Sequence, residues 1–257
     1  MSESQALLAL TAALGLVVGS FLNVCIYRLP LGESLMWPGS RCPNCGRGLS
    51  WFDNIPVVSC VAQRGRCRTC GAPISWMYPI VEIATACVFV GGLLFYGPTP
   101  LAVVRILFGC ALIVLFVIDL QHQILPNIIT LPGIVIGFAC SLFLPPGWRD
   151  SLIGILVGGA IPLIIAEAYV RLRGVEGLGM GDVKMLGMVG AFLGWKGAVL
   201  TLLLGSLAGS IVGVGLIAAQ AGSLQRKLPF GTFLAIAAAI AAVYGDPLVA
   251  WYVGFYR

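Results

Sequence analysis

Long apolar runs, each closed by a short break rich in Gly, Pro or polar residues, set the pattern of this chain. Runs of about 17–25 residues are the length that crosses a bilayer as a helix. They fall at about 5–26, 79–97, 101–119, 126–144, 150–169, 183–196, 197–220 and 229–246. The breaks at Gly97-Pro98-Thr99-Pro100, Leu125-Pro126-Asn127, Pro145-Pro146-Gly147 and Gly194-Trp195-Lys196-Gly197 separate them, because Gly and Pro punctuate helices. The sixth run is short, which suits a helix that begins in a protein-lined cavity rather than in lipid. The pattern predicts an all-α polytopic membrane protein of about eight transmembrane helices. The one long polar stretch, 27–78, is expected as a small separate module between the first helix (1–26) and the remaining transmembrane domain (79–257).

The first run, Ala6 to Cys25, lies where a secretory signal would. A signal begins with positive charge and ends in a small-residue cleavage site. Here residues 1–5 contain Glu3 and no Lys or Arg, and Arg28 follows the run, so a retained transmembrane helix is expected.

Composition agrees with the pattern. Of 257 residues, 59% are hydrophobic and only 10% charged, with a mean hydropathy of +1.00, whereas a soluble domain carries about 25% charged residues. So few charges cannot clothe a water-facing surface, and a soluble globular protein is excluded. The net charge of +5 could point to nucleic acid, but its distribution has a simpler reading. With the N-terminus outside, the inside segments are 27–78, 120–125, 170–182 and 221–228. With Lys184 just beyond the third, they hold eleven of the 15 Lys and Arg, Arg226 and Lys227 among them. Only Arg105, Arg149, Lys196 and Arg257 fall outside. That is the positive-inside bias of a membrane protein; lipid is the expected partner, nucleic acid is not, and the polar loop is expected in the cytoplasm.

Four of the nine cysteines form two pairs in that loop, Cys42-Pro43-Asn44-Cys45-Gly46 and Cys67-Arg68-Thr69-Cys70-Gly71. Two such turns present four thiolates to one tetrahedral Zn2+, with the glycines letting the backbone close around the metal. Scattered thiols or redox pairs are the alternative. A loop of about 50 residues is too small to hold on a hydrophobic core alone, so a closed, structural metal site makes physical sense, zinc-ribbon-like in character. Cys25, Cys87, Cys110 and Cys140 lie in apolar runs, where cysteine packs as a small hydrophobe, and Cys60 is unpaired between the two turns.

Two aspartates form a second constellation. Asp119 closes the third run and Asp182 ends Gly179-Met180-Gly181-Asp182 before the sixth. Two spans separate them, so both fall on the same membrane face. Ionisable residues at such positions are costly and mark function. Two close carboxylates share one proton, which suits a base that activates water and an acid that serves the carbonyl oxygen. Gly179 and Gly181 leave room for a substrate backbone. The plainer readings are that Asp182 caps a helix and that Asp119 is a solvated boundary residue. Glu82 and Glu167 read as carboxylates placed near the membrane interface, His122 as a solvated loop residue, and Trp51, Trp76, Tyr78 and Trp195 as interfacial aromatics.

Ordered motifs along nearly the whole chain carry a resemblance. Gly19-Ser20-Phe21-Leu22-Asn23 through Arg28-Leu29-Pro30, Trp51-Phe52-Asp53-Asn54-Ile55-Pro56, Arg64-Gly65-Arg66-Cys67, Ile74-Ser75, Tyr78-Pro79-Ile80-Val81-Glu82, Gly179-Met180-Gly181-Asp182-Val183-Lys184 and Pro229-Phe230-Gly231 are similar to those of the bifunctional prepilin peptidase/N-methyltransferase family, Gly-x-Gly-Asp aspartyl proteases of bacterial plasma membranes. The resemblance implies eight helices and two activities: removal of the leader from type IV prepilins or type II pseudopilins at the cytoplasmic face, and methylation of the new N-terminal amine by S-adenosylmethionine. It implies Asp119 and Asp182 as the catalytic pair and Cys42, Cys45, Cys67 and Cys70 as zinc ligands. No Rossmann-type glycine fingerprint marks a site for the methyl donor. The chain departs from the family at Met77, where an arginine is common, at Asn127, where an aspartate is common, and at Thr232, which replaces a proline. Two other functions compete: a peptidase without methylation, against which the complete cysteine quartet argues, and a transporter or scaffold without catalysis.

Overall fold

The computed structural model describes residues 3–174, 179–219 and 228–255; Arg226, Lys227 and Arg257, counted in the charge distribution above, lie outside the described residues. Among those described, the chain is helical: α1 Glu3–Arg28, α2 Val58–Ala62, α3 Met77–Tyr96, α4 Pro100–His122, α5 Asn127–Ser141, α6 Trp148–Arg173, α7 Met180–Ala218 and α8 Phe230–Gly254, with a 3-10 turn at Trp51–Asn54. The only extended pairing among them is two isolated bridges, Arg41 with Gly48 and Arg66 with Pro73.

Six of these helices, α1, α3, α4, α6, α7 and α8, are long and apolar enough to cross a membrane, and α5 is a shorter apolar helix. The predicted sixth and seventh spans both lie in α7, whose 39 residues would reach about 58 Å if straight. It is not straight: Gly194 interrupts it with φ 75 and ψ −180, a conformation natural to glycine. Leu186, before the break, and Ala198 and Leu202, after it, line one small space beside Val157, Gly158 and Ile161 of α6. Residues so far apart along one helix can share a neighbour only if the chain reverses between them. The break predicted at Gly194-Trp195-Lys196-Gly197 is therefore a hairpin turn, and the apolar segments number eight, as the pattern predicts.

The chain divides into two compact units, residues 1–114 and 115–257, with the division inside α4. In the first, α1 and α3 run antiparallel and approach through glycine. Gly15 faces the backbone of Ala86, and a Cβ on Gly19 would come within 2.7 Å of the Glu82 Cα. Helices without a hydrophobic driving force between them gain from such close backbone approach. Gly97, at φ 65, ends α3 and Pro100 opens α4, the usual asymmetry of helix ends. Gly92 then meets Ile106 and Gly109 meets Val88 as α4 returns along α3.

In the second unit, residues 182–192 form the buried centre: Met185, Leu186, Met188, Val189 and Ala191 are wholly inaccessible. Gly154 and Gly190 bring the α6 and α7 backbones together, and Gly137 of α5 packs on Ala191 and Phe192. The Ser151 hydroxyl donates to the Ala191 carbonyl at 2.8 Å. Beyond Gly194 the helix runs back along α8, with Gly205 against Leu234. The sixth predicted run is thus surrounded by protein, which explains how a segment too short for the bilayer is accommodated.

Candidate active site and metal centre

Asp119 sits one turn before the end of α4 and Asp182 in the first turn of α7. Both are buried, at 5% and 8% exposure, so Asp119 is not a solvated boundary residue. Its Oδ2 accepts two hydrogen bonds from one residue at the start of α8: the Thr232 backbone N–H at 2.6 Å and the Thr232 hydroxyl at 3.0 Å. Asp182 Oδ2 accepts the Gly179 N–H at 3.2 Å, so it does reach back over the helix start as a cap would, yet it also lies close enough to Asp119 for their charges to interact. Leu125 ties the pieces together. A Cβ built on Gly181 would lie 2.9 Å from the Leu125 Cβ. One built on Gly231 would lie 2.9 Å from the Leu125 Cδ1 and 3.0 Å from the Asp119 Cγ. Glycine is required at 181 and 231 because Leu125 and the Asp119 carboxylate occupy the space a side chain would fill.

Two buried carboxylates that feel each other's charge do not both ionise; one retains a proton. The two donors from Thr232 favour the negative charge on Asp119, which suits Asp119 to the part of a base and Asp182 to that of an acid. A water between them would meet a base on one side and a proton donor on the other, the requirement for general acid–base attack on an amide carbonyl.

The four cysteines of the polar loop also converge. The Sγ atoms of Cys42, Cys45, Cys67 and Cys70 all lie within 4.8 Å of one another, with Cys42 and Cys70 at 3.9 Å. Zn–S bonds of about 2.3 Å in a tetrahedron place sulfurs about 3.8 Å apart, so the quartet fits zinc. The two turns are built alike. Cys42 N donates to Arg47 O and Gly46 N to Cys42 O, as Cys67 N does to Ala72 O and Gly71 N to Cys67 O, each at 2.9 Å. Gly46 and Gly71 turn through left-handed φ of 70 and 68. The Asn44 side-chain amide donates to Cys70 Sγ and, with the Ala72 backbone, holds that thiol down at about 6; a thiol so placed is a ready metal ligand.

Asp53, which the sequence marks only as part of a motif, holds the loop together. Its side chain is 3% exposed and pairs with Arg47 from the first turn at 3.7 Å and Arg68 from the second at 3.4 Å, while Ser50 N and the Gln63 amide donate to it. Arg47 also donates to the Thr69 hydroxyl at 2.7 Å, linking the turns directly. Thr232 was likewise noted only as a departure from a motif. No local signal could have tied it to Asp119, since the contact closes over a separation of 113 residues.

The remaining polar residues divide. His122 is exposed. Glu167 is exposed and pairs with Arg171 one turn on, at 2.9 Å; both fit the plain readings. Asn127 accepts a hydrogen bond from Lys184 Nζ at 2.9 Å, so the departure from aspartate retains a partner. Glu82 differs from expectation: it is buried, at 7% exposure, rather than displayed at an interface.

Known proteins resemble this chain over nearly its whole length. Residues 13–96 match the family model described as the bacterial peptidase A24 N-terminal domain, and residues 106–214 match that of the type IV leader peptidase family. Among curated relatives, a prepilin leader peptidase/N-methyltransferase of Burkholderia pseudomallei (strain 1026b) is 36% identical over 268 residues, covering 93% of this chain and 86% of the relative. One of Pseudomonas putida is 36% identical over 275 residues, covering 96% and 94%, and one of Pseudomonas aeruginosa is 36% identical over 278 residues, covering 99% and 96%. No solved structure matches.

Proposed function

The chain belongs to the type IV leader peptidase family, and from that premise we propose that it is a membrane aspartyl endopeptidase that removes the leader from type IV prepilins or type II pseudopilins and then N-methylates the new N-terminal residue with S-adenosylmethionine. The curated relatives carry both activities in their name. The single observation that carries the peptidase half is the pair of buried carboxylates, Asp119 and Asp182, brought together from the ends of two helices.

In this reading Asp119, held by the two donors of Thr232, takes a proton from water. The resulting hydroxide attacks the scissile carbonyl while Asp182 delivers its proton to the carbonyl oxygen. Collapse of the tetrahedral species returns a proton to the departing amine, and the mature pilin begins at that nitrogen. Gly179, exposed at the start of the helix, leaves the backbone before Asp182 open to the substrate, while Gly181 is taken up by its packing on Leu125. Cys42, Cys45, Cys67 and Cys70 hold a structural Zn2+ that orders the loop and has no position open for chemistry. The protein is a multi-pass protein of the bacterial inner membrane. The distribution of Lys and Arg supports an N-terminus outside and an active site at the cytoplasmic face.

The test is mass spectrometry of a prepilin incubated with purified protein and S-adenosylmethionine, comparing wild type with Asp119→Ala and Asp182→Ala. Loss of the leader with gain of one methyl, both abolished in each variant, is the expected result. The loss in rate is about 10³-fold or more, because removing one member of an acid–base pair disables the other. Leader loss without a methyl supports the peptidase-only alternative, and cleavage that survives either substitution overturns the catalytic pair.

A further inference from the structure

The first unit contains a cavity of about 890 Å³, within the range of about 300–1,000 Å³ that small-molecule sites occupy. Its walls are the end of α1, the cysteine loop and the start of α3, among them Ser20, Tyr27, Arg41, Asp53, Tyr78 and Glu82. The charges in this wall are unevenly satisfied. Arg28 is buried and spent on three backbone carbonyls, those of Ser34, Pro38 and Gly39. Asp53 is paired with Arg47 and Arg68. Glu82 is buried as deeply as the aspartates of the peptidase site, yet among the described residues it has no ion-pair partner.

Two neutral donors lie beside Glu82: the Val57 backbone N–H, bonded to it at 2.7 Å, and the Ser20 hydroxyl, which lines the same cavity. The first comes from a strained segment. Val57 stands at φ 59, ψ −50, in a γ-turn closed by Val58 N on Pro56 O. A β-branched residue adopts that conformation only when its surroundings compel it. A carboxylate offers about four acceptor positions, so two donors leave capacity facing the cavity. A buried carboxylate without a cation is costly, and the remedy here is a cation that arrives with a ligand.

We propose that this cavity binds the methyl donor, with Glu82 set against its positively charged sulfonium centre. The aromatic walls of Tyr27 and Tyr78 suit the same charge. Arg41, a lining arginine with no ion-pair partner among the described residues, is available to the donor's carboxylate. The inference rests on the methylation proposed above. The N-terminal ammonium first releases one proton to water. Its nitrogen lone pair then forms the N–CH3 bond as the S–CH3 bond pair returns to sulfur. The products are a secondary ammonium and a neutral thioether, S-adenosylhomocysteine. Loss of the positive charge at sulfur removes the attraction to Glu82, so the site holds the donor more tightly than the spent product.

Titration calorimetry of the purified full-length protein with S-adenosylmethionine and with S-adenosylhomocysteine, for wild type and Glu82→Gln, tests this. The amide keeps an acceptor for Val57 and removes the charge. The expected result is donor affinity weakened at least about tenfold, thioether affinity within about twofold, and leader cleavage unchanged. Equal weakening of both ligands, or of neither, overturns the role of Glu82. Ultraviolet cross-linking of S-adenosylmethionine to wild-type protein, read by peptide mass spectrometry, tests the location without a variant. Labels on segments 17–28 and 40–82 support it. Methylation that proceeds with labels confined to residues 115–257 overturns the site alone. Wild-type protein that cleaves prepilin but neither binds the donor nor transfers a methyl overturns the methylation reading, and the site with it.

Discussion

In the cysteine loop every functional atom is fixed by bonds made nearby. Each Cys-x-x-Cys turn closes on itself within a few residues, and Asp53, Arg47, Arg68 and Thr69 clasp the two turns side by side. In the aspartate site almost nothing is local. Asp119 is held from a helix start 113 residues away, and its space is bounded by Gly231 and Leu125. The loop is partly exposed and has almost no apolar core, with Cys42 its one buried hydrophobic position between 29 and 76. The aspartate site is enclosed by helices whose centres are inaccessible to water. The first arrangement depends on hydrogen bonds and charge and is indifferent to a methyl group here or there. The second depends on helix packing, so single atoms matter. The two regions should therefore fail separately and for different reasons.

The largest effect that bears on this comes from removing the metal. Cys42→Ser with Cys67→Ser, or exhaustive chelation, should take bound zinc from one equivalent per chain to nearly none. The amides of Cys42, Gly46, Cys67 and Gly71 should then lose their hydrogen-exchange protection, since in small metal modules the binding free energy is folding free energy. Methyl transfer should fall by about a hundredfold or more, in keeping with the loss of a metal-ordered loop, while leader cleavage keeps a much larger share of its rate. If both activities fell together in proportion, the separation argued above would be wrong.

Gly231→Ala probes the other side. The new Cβ would lie 3.0 Å from the Asp119 Cγ and 2.9 Å from the Leu125 Cδ1, so the carboxylate or the leucine must move. A displacement of about 1 Å at a catalytic group costs on the order of a hundredfold in rate. The cleavage kcat should fall by about that factor while zinc content and methylation of a pre-cleaved pilin stay at wild-type levels. Unchanged cleavage would show that the packing around Asp119 is looser than its burial implies.

Thr232→Val is a smaller version of the same experiment, because it deletes the hydroxyl donor and leaves the backbone N–H. A hydrogen bond to a charged group contributes about 1.5–3 kcal/mol when intact. Part of that is recovered by relaxation, so a loss of about tenfold in kcat with KM unchanged is expected. Thr232→Pro removes both donors and should cost more. A change confined to KM would mean that Thr232 serves substrate binding rather than the base.

These partners also mark the limit of what the sequence discloses. The spans were readable because lipid demands uninterrupted apolar length, and the reversal at Gly194 because Gly, Trp and Lys cluster there. The cysteine quartet was readable because it comes in two short repeats, and the nearness of the two aspartates because two spans between them force one face. Thr232, Gly231 and Leu125 were not readable as neighbours of Asp119. Their contacts depend on how helix ends meet, and no period or spacing encodes that. Glu82 was misjudged for a related reason: a carboxylate near a helix start looks interfacial until the loop from another part of the chain is seen to cover it.

The smallest effect tests whether the loop is as self-contained as its bonding suggests. Cys70 accepts a hydrogen bond from the Asn44 amide at 3.5 Å. That donation, with help from the Ala72 backbone, lowers the thiol from its ordinary 9.0 to about 6. The sign follows from linkage. A group whose folded-state value is depressed favours the folded loop above the unfolded value and loses that contribution as pH falls from about 9 through about 6. Because the loop loses its fold with its metal, the effect is read as zinc retention against pH, and Asn44→Ala should make the protein release zinc at a slightly higher pH. Zinc affinity at neutral pH should drop only slightly, because the metal itself deprotonates its ligands. Peptidase activity should not respond at all. A shift of zinc release without any change in cleavage would locate the control of that charge within the two turns. A cleavage rate that followed Asn44 would instead require coupling that neither the local bonding of the loop nor the packing around Asp119 contains.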